Sequence, residues 1–186
     1  YTQMFLTHID SDGNDSPPIL IENATAANRA VNLPEFVNIE QDGIRRIDAP
    51  AAEYAKHADL AVEHMRNRQF ETAVKEWEKA LVLSPDEWRA HNSLGVALME
   101  IGQIEEAISH YRQALDLNPE YAEAYNNLGE ASVKKGSADD AVKYFEKAVQ
   151  LDPSYAVACA NLGMMFARTG QKENAVVYMR KAAELT

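Results

Sequence analysis

Small and apolar residues recur along the second two-thirds of the chain with a constant step of 34 residues, and Pro85, Pro119 and Pro153 keep the same step. Within each unit the apolar positions follow a helical pattern. A fixed step of this length predicts a repeat architecture in which one supersecondary unit is stacked on the next. The best-kept columns are Leu60, Leu94, Leu128 and Leu162; Ala73, Ala107, Ala141 and Ala175; and Ala80, Ala114, Ala148 and Ala182.

Glycine and proline divide each unit into two helices. Gly136 can adopt the left-handed conformation that ends a first helix, and Pro153 cannot continue a second one. Gly129 is small enough to let the two helices cross closely, and Phe145 fills the space between them. The pattern predicts first helices near residues 52–66, 87–100, 121–134 and 155–168, and second helices near 70–83, 104–117, 138–151 and 172–185.

These columns resemble the tetratricopeptide repeat family over residues ~54–186. The first unit departs most, because Ala61 and Arg68 replace the glycines of the other units. The resemblance implies a mostly α fold, a right-handed α-solenoid of four helix pairs that occupies a domain from residue 51 to 186. Its repeats would span residues 54–87, 88–121, 122–155 and 156–186.

Arrays of this family usually finish with a polar capping helix, whereas this chain stops at Leu185 and Thr186. We therefore expect the last repeat to leave an apolar face. That face would pair with another subunit, another domain or a further part of the protein, which makes a homo-oligomer formed through this repeat one expected partnership.

Residues 1–50 lack the helical period and are predicted to form a short β or irregular arm. The stretch "YTQMFLTHID" is typical of a strand, "SDGNDS" of a turn, and "PPILIEN" of a second short strand. "QMFLTHIDSDG" and "NLPEFVN" resemble the C-terminal end of a TolB-like β-propeller, over residues ~1–40. The alternative is an extended arm that packs on the repeats.

A start at Tyr1 indicates a piece of a longer protein. Since propellers of this kind are mostly bacterial envelope proteins, the resemblance favours the bacterial periplasm or envelope over the cytoplasm.

Composition narrows the classes of partner. Hydrophobic residues make up 46% of the chain, which suffices for a core, and the net charge of -11 argues against a nucleic-acid partner. No apolar run approaches the roughly 18 residues that a spanning helix needs, so we expect no membrane insertion. The one cysteine, Cys159, excludes an internal disulfide.

Little in the sequence indicates catalysis or a cofactor. Asp10, Asp12 and Asp15 are spaced like calcium ligands, but the carboxylate that should complete such a loop is missing, and a solvated turn is expected. No histidine pair has the spacing of a helical zinc site, and no glycine-rich phosphate loop occurs. His57, His91 and Cys159 share one repeat column and are interpreted as packing residues. We expect no metal, no cofactor and no enzymatic activity.

The repeat resemblance implies a concave groove lined by the first helices. Asparagines recur there, and an amide that both donates and accepts could hold a peptide backbone without reading its sequence. The alternative is that these asparagines tie adjacent helices together. Valine and methionine form an apolar strip beside them, and methionine adapts to varied partner shapes. The candidate groove residues are Asn92, Asn126, Asn127, Asn161, Val62, Met65, Arg66, Arg89, Val96, Met99, Lys134, Met164 and Arg168.

We therefore expect a protein-interaction scaffold that binds a peptide segment or a partner domain in this groove. One alternative is an accessory C-terminal domain of a larger propeller-containing enzyme or of a cofactor-bearing envelope complex. A second alternative is a self-assembly module that associates through the uncapped C-terminal repeat.

Overall fold

The structure is a computed structural model that describes residues 4–9, 15–21, 37–40, 43–46 and 49–186, with side chains from residue 50 onward. The chain divides into two compact units, Tyr1–Lys56 and His57–Thr186. The predicted boundary near residue 50 stays a prediction.

Four strands are described in the first unit. Strand β1 (Met4–Ile9) pairs antiparallel with β2 (Asp15–Ile21), and β3 (Val37–Glu40) pairs antiparallel with β4 (Gly43–Arg46). The first pair agrees with the predicted strands. The second was not predicted, although Asp-Gly between two short apolar runs is a hairpin signal. The structure does not describe the side chains of the possible calcium ligands Asp10, Asp12 and Asp15.

The second part of the described chain is helical, and its helices fall close to the predicted ranges. First and second helices alternate, with α1 beginning earlier than predicted because Pro50 is well suited to a first helical turn. The helices are α1 (Ala49–Arg66), α2 (Phe70–Leu83), α3 (Trp88–Glu100), α4 (Ile104–Leu117), α5 (Ala122–Lys134), α6 (Ala138–Leu151), α7 (Ala156–Arg168) and α8 (Lys172–Glu184).

The turns inside the pairs use the left-handed conformation, as predicted. Gly102, Gly136 and Gly170 have φ angles of 80°, 81° and 81°, and Arg68 holds the same place in the first pair with φ 58°. After α5, the Ser137 amide donates to the Ser132 carbonyl at 2.9 Å. That bond closes the end of the helix and turns the chain back along it.

Each pair is held together by a small residue on the first helix and a large one on the second. A Cβ added to Gly95 would lie 2.5 Å from Tyr111 Cε1, and one added to Gly129 would lie 2.5 Å from Phe145 Cε1. Glycine therefore permits the close crossing at these points. Both aromatic rings are buried, which confirms the predicted role of the large column.

Successive pairs stack through a second set of small residues on the first helices. In each of the first helices α3, α5 and α7, two positions seven residues apart are almost fully buried. They are Ala90 and Ala97 in α3, Ala124 and Ala131 in α5, and Ala158 and Met165 in α7. The result is an all-α solenoid of helix pairs in which the core continues from one pair to the next.

Candidate partner-binding surface

The predicted groove residues lie on the first helices of the four pairs. α1 carries three of them, α3 four, α5 three and α7 three. Because first helices α3, α5 and α7 follow one another in the stack, side chains at equivalent positions are brought side by side. The structure joins several of these side chains by hydrogen bonds between residues 35 positions apart.

One of these connections links α3 to α5. The Asn127 Nδ2 donates to Asn92 Oδ1 at 2.9 Å, and Asn92 Nδ2 donates to the Tyr121 hydroxyl at 3.3 Å. The Tyr121 hydroxyl in turn donates to a Glu123 carboxylate oxygen. The amide of Asn92 is therefore engaged on both sides, by Asn127 within α5 and by Tyr121, which directly precedes α5.

The next connection links α5 to α7 in the same way. The Asn161 Nδ2 donates to Asn126 Oδ1 at 2.9 Å and to Glu130 Oε1 at 3.1 Å. The Asn126 Nδ2 donates to the same Glu130 oxygen at 2.9 Å. We call the two connections, Asn92–Asn127 and Asn126–Asn161, the asparagine ladder.

Burial separates the asparagines into two kinds. Asn92 and Asn126 are only 6% and 2% exposed, whereas Asn127 and Asn161 are half-buried. A buried amide needs bonded partners, and the ladder supplies them. The ladder thus favours the tie between adjacent helices for Asn92 and Asn126. Contact between an asparagine and a partner stays a prediction. Asn127 and Asn161 are better placed for such contact than Asn92 and Asn126, because they are less buried.

The apolar strip also differs in part from the expectation. Val62 and Met164 are exposed, and Met65 and Val96 are half-buried. Met99 is buried instead, because α5 lies alongside α3 at this point.

The cationic members of the predicted set, by contrast, are all exposed, namely Arg66, Arg89, Lys134 and Arg168. The Lys134 Nζ reaches back to the Met99 carbonyl at 3.4 Å, which spans the same two helices as the first rung of the ladder.

An aromatic cluster at the start of α3 was not predicted. The Arg89 guanidinium lies 4.0 Å from the centre of the Trp88 ring, and the Trp88 and Tyr121 rings meet edge to face with centroids 4.4 Å apart. Burial, followed by the hydrogen bond to Glu123, raises the pKa of Tyr121 well above its usual range. The hydroxyl therefore stays a neutral donor. Both rings lie where consecutive repeats join, a position that could have drawn attention to them.

The two histidines that were interpreted as packing residues each contact a side chain on the second helix of their own repeat. His57 Nδ1 lies 2.6 Å from Glu76 Oε2, and His91 Nδ1 lies 3.1 Å from His110 Nδ1. Burial lowers the pKa of His110, and the charge of a protonated His91 would lower it further. These contacts agree with a packing role.

Cys159 is fully buried in the core, where burial raises the pKa of its thiol. Both observations fit the packing role expected from its repeat column, because a buried thiol with a raised pKa is a poor nucleophile.

A cleft of about 650 Å³ lies between α6 and α8, away from the asparagine ladder. Three lysines and Glu146 line it, and sequence reasoning had not indicated it.

Among residues 50–186, no group of three or more His, Cys, Asp or Glu is placed to hold a metal ion. None of the described helices has the length and apolar character needed to cross a membrane.

Comparison with known proteins identifies the repeat. Tetratricopeptide repeat profiles match residues 58–112, 94–156 and 156–186. Nothing among the curated proteins matches the chain. Since the profile matches begin at residue 58, the resemblance of residues ~1–40 to a β-propeller gains no support from them.

Solved structures with the same fold include a crystal structure of MamA, which is 28% identical with a TM-score of 0.65 over 71% of this chain and 77% of that one. YrrB, described as a TPR protein with an unusual peptide-binding site, is 25% identical with a TM-score of 0.60 over 74% and 69% of the two chains. Pseudomonas aeruginosa pilF is 23% identical with a TM-score of 0.68 over 75% and 64%, a likeness of fold alone.

Proposed function

Because this chain belongs to the tetratricopeptide repeat family, whose members are protein-interaction scaffolds, we propose that it binds a peptide segment or partner domain along the surface of its first helices. The asparagine ladder is the observation that carries this proposal. It joins α3, α5 and α7 into one continuous surface whose polar edge is set before a partner arrives. A preorganised surface loses less conformational entropy on binding.

The residues that we assign to contact are the accessible members of the predicted set. Val62 and Met164 would supply apolar anchors, and Asn127 and Asn161 would present amide groups at the edge of the ladder. A few buried anchors usually dominate the binding energy of such an interface. Positive charge beside these anchors comes from Arg66, Arg89, Lys134 and Arg168. Negative charge on the same first helices comes from Glu100, Glu123 and Glu130. We therefore expect a partner segment with apolar side chains and mixed charge.

The test uses peptides selected from a random display library with the purified 186-residue chain. Fluorescence anisotropy then gives the Kd of each selected peptide for the native chain and for Met164→Glu. A charge at an anchor should weaken binding about tenfold or more, equivalent to roughly 1.4 kcal/mol.

The matched control is Val82→Glu on the second helix α2, where the side chain is 83% exposed. It should leave the Kd unchanged while carrying the same charge. Peptides that bind Met164→Glu and the native chain equally would contradict the proposed surface. Circular dichroism of each variant confirms equal helicity before binding is compared.

A further inference from the structure

The cleft between α6 and α8 is lined by residues of both helices, and we call it the lysine cleft. Its volume of about 650 Å³ lies within the range of roughly 300–1,000 Å³ that is usual for ligand sites. Apolar and charged groups both contribute to its walls. The lining residues are Lys143, Glu146, Lys147, Val149 and Gln150 of α6, Pro153 after α6, and Tyr178 and Lys181 of α8.

The cleft belongs to the joint between two described repeats. Tyr178 packs on the core that α6 and α7 share, and its ring centroid lies 5.6 Å from that of Phe166 in α7. The equivalent residue of α6, Tyr144, lines a smaller cleft together with Arg112 of α4. The lining residues of α8 are therefore those that meet the preceding repeat, and they do not include the exposed apolar residues of α8.

The lysine cleft reverses the charge of the chain as a whole. Three lysines and one glutamate line it, whereas the chain carries 18 Lys and Arg against 29 Asp and Glu. Lys143 Nζ lies 3.6 Å from Asp140 Oδ1, but both side chains are well exposed, so this ion pair stabilises little. Protein walls strengthen the field of charges that line a cleft. The lysine cleft is thus suited to an anionic ligand.

Lys147 and Lys181 are the more strongly confined cations of the cleft. Both residues are half-buried, and neither forms an ion pair with a carboxylate among residues 50–186. Lys147 Nζ donates to the side-chain oxygen of Gln150 at 3.5 Å. Partial burial of an ammonium group without a counter-charge costs free energy, which a bound anion would offset.

The apolar lining residues indicate what else the ligand carries. Val149 is buried in the core, Tyr178 packs against that core, and Pro153 is exposed. These residues offer an apolar contact beside the lysines. Because lysine is a point charge without the planar fork of arginine, it recognises a carboxylate by charge rather than by paired hydrogen bonds. A peptide that combines carboxylates with an apolar side chain meets both conditions.

We propose that the lysine cleft binds an acidic peptide segment of a partner protein, in which carboxylate side chains flank an apolar one. The lysines neutralise the carboxylates, and the apolar side chain packs against Tyr178 and Pro153. This surface lies on second helices α6 and α8. The proposal is therefore independent of partner binding along the first helices.

Fluorescence anisotropy with a labelled synthetic peptide tests the proposal. In the acidic probe two glutamates stand on each side of a leucine, and the matched probe has glutamine at all four acidic positions. The 186-residue chain should bind the acidic probe more tightly than the matched one. Raising the salt from about 50 mM to about 500 mM should weaken this binding, because salt screens the charges. Equal binding of the two probes, or no binding of either, would overturn the proposal.

Two pairs of lysine substitutions locate the site. Lys147→Gln combined with Lys181→Gln should raise the Kd of the acidic probe about tenfold, because two charged contacts are lost. The matched control combines Lys75→Gln with Lys172→Gln, which removes the same charge at exposed positions outside the cleft and should leave the Kd unchanged. An equal effect of the two pairs would reject the cleft, since binding would then follow net charge alone. Circular dichroism confirms equal helicity of the variants.

Glu146→Gln gives a variant in which binding should become stronger. It removes the one negative charge among the lining residues and should lower the Kd of the acidic probe roughly threefold. Misfolding cannot produce such a gain, and an unchanged or raised Kd would contradict the proposal. Titration with tripolyphosphate separates a peptide site from a site for phosphate anions. Tripolyphosphate that binds through Lys147 and Lys181 while the acidic probe does not bind would overturn the assignment to a peptide.

Discussion

The two ends of the helical array present different chemistry on faces that are equivalent to interior ones. At the start, Lys56 and Glu63 stand where later first helices bury alanine or methionine. At α8, Val176 and Met179 are exposed where earlier second helices bury or half-bury an apolar residue. Charged residues keep a helix face in water at little cost, whereas exposed apolar residues favour covering that face.

The contrast shows that residues of one repeat column contribute differently to stability in different repeats. Each interior repeat contacts a neighbour on both sides, and the value of a side chain depends on whether that neighbour is present. Gly129 faces the Phe145 ring, and a Cβ added to Gly163 would lie 2.9 Å from Met179 Cγ and 3.0 Å from the Met179 backbone nitrogen. Glycine is therefore required at both crossings, while the large residue opposite it is buried in α6 and exposed in α8.

The largest expected effect is a difference in stability loss between two substitutions in the column of large residues, one inside the array and one in α8. Phe145→Ala removes a buried ring and should lower the free energy of unfolding by about 3–5 kcal/mol. Met179→Ala removes a partly exposed side chain and should cost roughly 1–2 kcal/mol, in proportion to the smaller area lost. Urea unfolding of dilute protein followed by circular dichroism measures both. Equal losses would show that α8 is packed as tightly as α6.

A smaller effect compares the turns of the first and last repeats. Gly170→Arg places a side chain at φ 81°, which should cost about 1 kcal/mol of unfolding free energy. Arg68→Gly relieves the equivalent strain in the first turn, but the added freedom of the unfolded chain offsets part of the gain. We expect a net stabilisation below about 1 kcal/mol. Thermal unfolding of both variants checks the order, and a neutral Gly170→Arg would contradict it.

The smallest effect is the pH response of the first two repeats. The pKa of His110 is lowered by burial and by His91, so its stabilising contribution is present above about pH 6.5 and is lost as the pH falls. The pKa of Glu76 is lowered by hydrogen bonds from Lys79 and then His57, so its contribution is present above about pH 4.5 and is lost only as the pH falls further. The second repeat should therefore weaken first on acidification.

His110→Gln tests this difference, because glutamine keeps polarity and does not titrate. The variant should flatten the fall in unfolding midpoint between about pH 7 and 5. Glu76→Gln serves as the comparison and should alter the profile only at lower pH. An unchanged slope in His110→Gln would remove His110 as the source of the acid sensitivity.

Most of the helical fold could be predicted, because the determining residues act locally. Gly136 ends α5 through its own backbone, Pro153 follows the end of α6 in its own repeat, and both recur at a constant step. The close crossing at Gly129 was also predictable, since a small residue and Phe145 occur together in one unit. The strand pair formed by β3 and β4 was missed because its short runs offer little period.

The candidate surface was less predictable, because it depends on contacts between residues one repeat apart. The amide chemistry of Asn92 was recognised, but its burial depends on how closely α5 approaches α3. Burial of Met99 has the same cause. The contact of Arg89 with Trp88 joins neighbouring residues, yet the position of Tyr121 against this pair is set by the joint between two repeats.

The asparagine ladder also sets the mechanical behaviour of the array. Its rungs join α3 to α5 and α5 to α7, so pulling these helices apart must break side-chain bonds as well as packing. At the joint between the first two repeats, Ala58 and Ser93 occupy the equivalent positions, and the alanine side chain has no hydrogen-bonding group. The ladder therefore adds resistance to separation at the later joints, and the first joint depends on packing without a bond of this kind.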